Sequence, residues 1–330
     1  MKVLLLDPAG KGIYYQQFRI ALKEACDVFQ YGPGLPHYNP QHDIFKVLKI
    51  YEEQTGNLKP DLILTGFGWE DDKHPTNFNI HQADLRLNET DIKKAFIINK
   101  EYKKLKQKFD FVKASKFDVG FTVLHNTEHF TAQTGTPFYR LPFAANDNIF
   151  KDYGESKVID LGFSGNMFNS STYKNTGLMG PLFNNIRERI YEELQEPEYS
   201  SCNIWWNSNA GKFLHGEKYA RLINSSKIWL NTPSAVEIIN PRYYEIIGCN
   251  TLLFCRKADR PYKDLGFLDG QTCVTFEQDL SNFKEKLFHY INNEEDRNEI
   301  TQQAMLLFKE RHSWRHRVNF LMETCLTQKK

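Results

Sequence analysis

Hydrophobic positions along this chain fall into two alternating patterns. Lys2–Asp7, Asp27–Tyr31 and Asp61–Thr65 are short apolar runs with the length and composition of buried strands. Between them, Ile13–Ala25 and Phe45–Gln54 space their apolar residues as a helix with one face in a core. The alternation predicts βαβ units and a parallel sheet. Further strands are expected at Val119–Leu124 and Phe138–Leu141, and the lysine-rich Asp91–Lys108 reads as a helix with a solvated face. The polar stretch Ala144–Ser156 marks a crossing into a second α/β region. There Val158–Phe163, Cys202–Trp206, Lys227–Asn231, Thr251–Cys255 and Cys273–Phe276 are predicted strands. Pro181–Gln195, Glu217–Asn224, Tyr243–Gly248, Leu280–Asn292, Glu294–Glu310 and Ser313–Leu326 are predicted helices.

A length of 330 residues supports two domains, each able to bury a core. The net charge of +1 argues against a general grip on nucleic acid. Lys103, Lys104, Lys106, Lys108, Lys113 and Lys116 form a local basic cluster, read first as a solvated helix. The six cysteines include no CxxC pair, and His74 and His81 lack HExxH spacing, so no metal site is expected. The first strand follows Met1 directly and is too short for a signal peptide or a membrane span. This predicts a soluble protein of the reducing cytoplasm.

Polar groups gather in Lys227–Cys255, KIWLNTPSAVEIINPRYYEIIGCNTLLFC. A strand ending at Asn231 leads into a loop. Asn240-Pro241 is then a helix start: asparagine caps free amides, and proline suits the first helical position, where no N–H is needed. Such a start attracts phosphate through its amides and dipole. Arg242 lies in the first turn, where the dipole mildly disfavours a cation, and this favours a role on a diphosphate. Glu245 follows about one turn later, and Glu237 lies seven intervening residues before it. A carboxylate can hold two vicinal sugar hydroxyls, so the set suits a nucleotide sugar better than a bare phosphate. The plain alternatives are a loop glutamate and a helix glutamate facing solvent. Tyr243 belongs to the same helix. Upstream, Gly165 and Asn166 follow a strand where a glycine lets the backbone approach a ligand, or merely turns. Of Trp205 and Trp206, one is expected in the core and the other, Trp206, beside a base. His215 is a candidate for bonding base or phosphate.

Six pieces in this order and spacing carry a resemblance: YRLPFAANDNIF (Tyr139–Phe150), IDLGFSGN (Ile159–Asn166), YARLINSSKIWLN (Tyr219–Asn231), NPRYYEIIGCNTLLF (Asn240–Phe254), YINNEEDRNEITQQA (Tyr290–Ala304) and HSWRHRVNFLM (His312–Met322). On them the chain resembles the GT-B glycosyltransferases, and more closely the spore-maturation (CgeB-like) group. The resemblance implies an α/β fold of two Rossmann-like domains facing a cleft. It places an acceptor-side domain over 1–150, a nucleotide-sugar-binding domain over 151–310, and a helix over 311–330 crossing back to the first. It implies sugar transfer from a nucleotide-diphosphate sugar, with no cofactor beyond that donor, to an acceptor glycan, protein or small molecule. By the same resemblance Glu245 would hold the ribose and Glu237 the transferred sugar, a pairing that leans towards retention. The absence of a D-x-D motif argues against the metal-dependent GT-A class.

Gly66–Thr90 interrupts the strand–helix pattern with a long polar segment, a common mark of function. Asp71 and Asp72 within it, and His125 further on, are the catalytic candidates on the acceptor side. An inverting transferase needs a base for the acceptor hydroxyl, whereas a retaining front-side transfer can pass the proton to the leaving diphosphate. The other reading of Asp71 and Asp72 is a solvated acidic turn. PAGKG (Pro8–Gly12) lacks P-loop spacing and there is no GxGxxG, which disfavours a dinucleotide enzyme. Three other functions share these features: a GT-B-like nucleotide-sugar epimerase, a non-catalytic sugar- or nucleotide-binding module, and a DNA-modifying glucosyltransferase, which needs a basic face.

Overall fold

Apolar strands joined by helical crossovers lie parallel, because the helix returns the chain to the edge from which it left. The computed structural model describes residues 1–10, 13–66, 85–101, 104–167, 186–209, 212–233, 238–257 and 260–327. The first half contains β1 (Lys2–Leu6), α1 (Ile13–Ala25), β2 (Asp27–Tyr31), α2 (Ile44–Thr55), β3 (Leu62–Thr65), β4 (Lys93–Ile97), α3 (Leu105–Ser115), β5 (Val119–Thr122), α4 (Thr127–Thr134) and β6 (Phe138–Arg140). Among the described residues these strands form one six-stranded sheet, β2-β1-β3-β4-β5-β6, parallel throughout. Val3–Leu6 and Leu62–Leu64 are fully buried, as strands covered on both faces must be.

The expected helix over Asp91–Lys108 is corrected. Lys93–Ile97 is β4, hydrogen-bonded between β3 and β5, and α3 starts only at Leu105. A short apolar run fits a strand or a buried helix equally well until its neighbours decide. Lys94 is consequently buried, its Nζ donating to the carbonyls of Thr90 (3.1 Å) and Ile92 (3.3 Å). Lys108 is also buried, and its Nζ donates to the carbonyls of Asn99 and Lys100. A cation held by backbone carbonyls adds nothing to a basic face for DNA.

The second half contains β7 (Ile159–Ser164), α5 (Ile186–Glu193), β8 (Ile204–Asn207), α6 (Gly216–Asn224), β9 (Ser226–Asn231), α7 (Pro241–Gly248), β10 (Leu252–Arg256), α8 (Arg260–Asp264), β11 (Val274–Phe276), α9 (Phe283–Asn292), α10 (Glu294–Arg311) and α11 (Trp314–Thr327). Its strands form a five-stranded parallel sheet, β11-β10-β9-β7-β8, among the described residues. Side chains alternate between two cores. Trp229, Leu253 and Cys255 pack with Tyr219 and Ile223 of α6 and Tyr243 and Ile247 of α7. Leu161, Phe163, Ile228 and Leu230 pack on the other face with Ile190 of α5 and Phe283 and Leu287 of α9. Gly162 pairs with Trp229 across β7 and β9, and a Cβ there would stand 2.3 Å from the indole ring.

The chain divides into two units, Met1–Pro142 with Arg315–Lys330, and Phe143–Trp314. All but the first residue of α11 therefore belongs with the first unit. Phe320 meets Phe121 with ring centroids 6.5 Å apart, Arg317 Nε donates to the carbonyl of Pro142 (3.1 Å), and Val318, Leu321 and Cys325 are buried. Among the described residues no helix is long and apolar enough to cross a membrane.

Candidate functional site

In the second sheet the chain leaves β7 towards β8 on one side and later continues from β9 to β10 on the other. Neighbouring parallel strands whose connections depart in opposite directions open a crevice at their carboxyl ends, the usual ligand position of such sheets. Here that edge is made by Ser164 at the end of β7 with Gly165 and Asn166 after it, Asn231–Thr232 at the end of β9, and the start of α7.

Asn240 organises the edge. Its backbone is extended (φ −79°, ψ 165°), its Oδ1 accepts from the amide of Arg242 (3.1 Å), and Pro241 occupies the first helical position. Asn240 Nδ2 donates to the carbonyl of Thr232 (2.9 Å), and Asn231 Nδ2 donates to Asn240 Oδ1 (3.1 Å). The cap is thereby tied to the end of β9, and the positive end of α7 is fixed beside the strand. Arg242 is half-buried, with its guanidinium carbon 5.9 Å from the Phe213 ring centroid. Glu245 is 3% exposed, and its Oε2 has no hydrogen-bond partner among the described residues. Burial raises its pKa to about 7, against the opposing pull of the Arg242 charge. An unpartnered buried acceptor of this kind costs about 1–3 kcal/mol. Ligand hydroxyls reaching it would relieve that cost.

The other donor-side residues have mixed placements. Gly165 is buried, and its amide donates to the carbonyl of Asn207 (3.1 Å); Asn166 is exposed at the edge. Trp205 packs towards Trp229 (centroids 5.5 Å), while Trp206 stacks on Phe163 (4.1 Å, 25°) with Tyr191 at 5.4 Å. His215 is exposed at the start of α6 and makes no side-chain capping bond. Tyr243 faces the core rather than the edge, its hydroxyl against that of Tyr262. Lys227, at the opposite end of β9, pairs with Asp160 (2.7 Å). Glu237 lies outside the described residues.

On the first unit, Asp71 and Asp72 also lie outside the described residues. His125 is exposed in the turn after β5, just before Asn126, which caps α4 through the amide of His129 (3.3 Å). The carboxyl ends of that sheet carry buried polar groups that sequence reasoning missed. Asp7 pairs with Arg19 (3.1 Å), Tyr15 donates to Asn99 (3.1 Å), and Glu101 accepts from Thr122 Oγ1 (2.9 Å) and the amide of Val123 (3.1 Å). Burial holds the Glu101 carboxyl above its usual range.

Arg187 was missed as well. It lies in α5, yet it bonds Thr232 and the carbonyl of Asn166 at the edge described above. No motif marks it, because its helix lies far in sequence from α7.

Residues 180–323 match the model of the Glycosyl transferase-like family, a span that includes Arg187, Asn231, Asn240, Arg242 and Glu245. No curated protein matches the sequence. Among solved structures, the fold is similar to Anabaena Alr3699/HepE in complex with UDP and glucose: 13% identity, 99% of this chain and 100% of that one, TM-score 0.59. It is similar to a glycosyltransferase from Rickettsia africae ESF-5: 11% identity, 99% of each chain, TM-score 0.60. It is also similar to the E. coli structure named trehalose-6-phosphate, bound with UDP-2-fluoro glucose: 8% identity, 99% of each chain, TM-score 0.63. The arrangement of two parallel sheets with flanking helices is that of the GT-B glycosyltransferases.

Proposed function

We propose that this chain is a glycosyltransferase that takes a sugar from a uridine-diphosphate sugar and passes it to an acceptor hydroxyl. The carrying observation is the edge of the second sheet, where a capped helix start is tied to the end of β9 and the same helix carries Arg242 in its first turn and Glu245, whose buried Oε2 has no hydrogen-bond partner among the described residues. Helix amides and Arg242 meet the diphosphate, and their fixed dipoles offset the charge that grows on it as the glycosidic bond breaks. Glu245 accepts from the ribose hydroxyls. The family match over this unit and the UDP named in two of the similar structures support the class of donor. Metal-independent transfer follows from assigning the leaving charge to these groups. Retention is favoured by the spacing of Glu237 and Glu245. Asp71, Asp72 and His125 are the acceptor-side candidates for a base. The free thiols Cys26, Cys202, Cys249, Cys255, Cys273 and Cys325 fit a cytoplasmic setting.

A thermal-shift panel of nucleoside diphosphates and their sugars, on wild type and Arg242→Ala, tests this reading. A ligand at a hundred times its Kd stabilises by about 2.7 kcal/mol. UDP and UDP-sugars should raise the wild-type Tm, and the shift should vanish in a folded Arg242→Ala. No stabilisation by any of them at millimolar concentration removes the donor site. Isomerised donor formed without an acceptor would show an epimerase instead.

A further inference from the structure

Helix α7 starts at the carboxyl ends of the second sheet and ends at Gly248, shortly before β10 begins. Its last turn therefore lies at the amino ends of those parallel strands. A cavity of about 350 Å³ opens there, wholly within the second unit. Its floor is apolar. Phe150 and Phe308 are buried and belong to the core behind it, Gly248 is buried, and Met305 is half-buried. Met305, Phe308 and Lys309 share one face of α10 through their spacing of three and four residues.

The wall over 147–152 is held from inside. The buried Asn224 donates through Nδ2 to the carbonyl of Lys151 (2.7 Å), and its Oδ1 accepts the amide of Tyr153 (2.9 Å). Asp152 accepts from the Gly154 amide and from Asn250 Nδ2, each at 2.9 Å. Asp147 is engaged as well. The carboxylates at the mouth are thus occupied, and two cations remain to meet a ligand. Lys151 and Lys309 are exposed, and neither ammonium makes a hydrogen bond or ion pair among the described residues. Lys151 Nζ only lies 5.4 Å from the Tyr153 ring centroid.

We propose that this cavity binds a small carboxylate with an aromatic or branched apolar body. The body rests on Phe150, Met305 and Phe308, and the carboxylate turns towards Lys151 and Lys309. Small-molecule sites span about 300–1,000 Å³ and combine an apolar lining with a few polar groups, as this cavity does. A wall fixed before binding leaves little to be ordered when the ligand arrives. An uncharged head gains no ion pair from the two ammoniums, and a cationic head is repelled by them. The site is separate from the donor edge, since eight residues of helix put about 12 Å between the two ends of α7. It stands or falls independently of the donor reading.

The test uses 3-phenylpropionate, 3-phenylpropanol and 3-phenylpropylamine, which share one body and carry an anionic, a neutral and a cationic end. Their binding to the full chain is measured by ligand-observed NMR titration on wild type, Met305→Trp, and the double variant Lys151→Gln with Lys309→Gln. Wild type should bind the acid about fivefold tighter than the alcohol, and the amine more weakly than either. The double variant should bring the acid to within about twofold of the alcohol and leave the alcohol unchanged. Met305→Trp fills the mouth and should weaken acid and alcohol together by about tenfold. Both lysines are exposed, so the double variant decides the matter should Met305→Trp fail to fold. A wild type that does not bind the acid at millimolar concentration overturns the proposal. So does equal affinity for the three heads, or acid binding unchanged in the folded variants. Displacement of the acid by UDP would place it at the donor edge and overturn the proposal too.

Discussion

Glu245 is a carboxyl group in a place that favours its neutral form. Its pKa in the folded chain is about 7 against an ordinary value of 4.5, with burial as the main cause. Between these two values the folded state holds a proton that the unfolded chain has released. Stability from this group is therefore complete below pH 4.5 and is lost as pH rises through about 7. Glu245→Gln keeps the shape and cannot ionise. Without ligand it should be more stable than wild type at pH 8 by about 3 kcal/mol and equal to it near pH 4.5, as denaturant titrations at the two pH values would show. UDP should reverse the order at pH 8, because ribose hydroxyls need an acceptor that the amide provides poorly. A variant no more stable at pH 8 would mean that water already satisfies the carboxylate. Much of this site was legible from residue types: an Asn-Pro start, a cation in the first turn and a glutamate one turn on. The inward turn of Tyr243 was not, because a helix of eight residues with buried side chains on every side gives no contrast between faces.

Elements were most readable where one pattern dominated. The strands around α7 fell close to their expected positions because the apolar runs were bounded by cap and stop residues. β4 was misread because its lysines were taken as signs of solvent, whereas Lys94 bonds backbone carbonyls from a buried position. Arg187 was illegible for another reason: its partners are set by the sheet order, which brings β7 beside β9 across many residues of sequence. The same adjacency makes Gly162 a demanding position. Gly162→Ala forces a methyl into the Trp229 ring. It should destabilise the protein by about 1–3 kcal/mol, the usual range for overpacking. Urea unfolding would measure this, and a neutral result would mean that β7 and β9 can move apart freely.

At the scale of the whole molecule, two doubly wound sheets were readable from the strand–helix alternation. The allegiance of α11 was not readable from periodicity, since an amphipathic helix does not say which core it joins. Leu321 is fully buried on α11. Leu321→Ala should cost about 2–5 kcal/mol, and hydrogen exchange should accelerate in β5 and its neighbours while β9 keeps its protection. Loss confined to the second sheet would contradict the division into units. The division also bears on how the chain is made. Domains usually fold in the order of their synthesis. Here Met1–Pro142 reaches solvent first, but Arg315–Lys330, which belongs with it, comes after Phe143–Trp314. The second unit is contiguous and needs nothing made after Trp314 to complete its own contacts. The first must wait, with the ground that α11 will cover still open, until the last helix arrives.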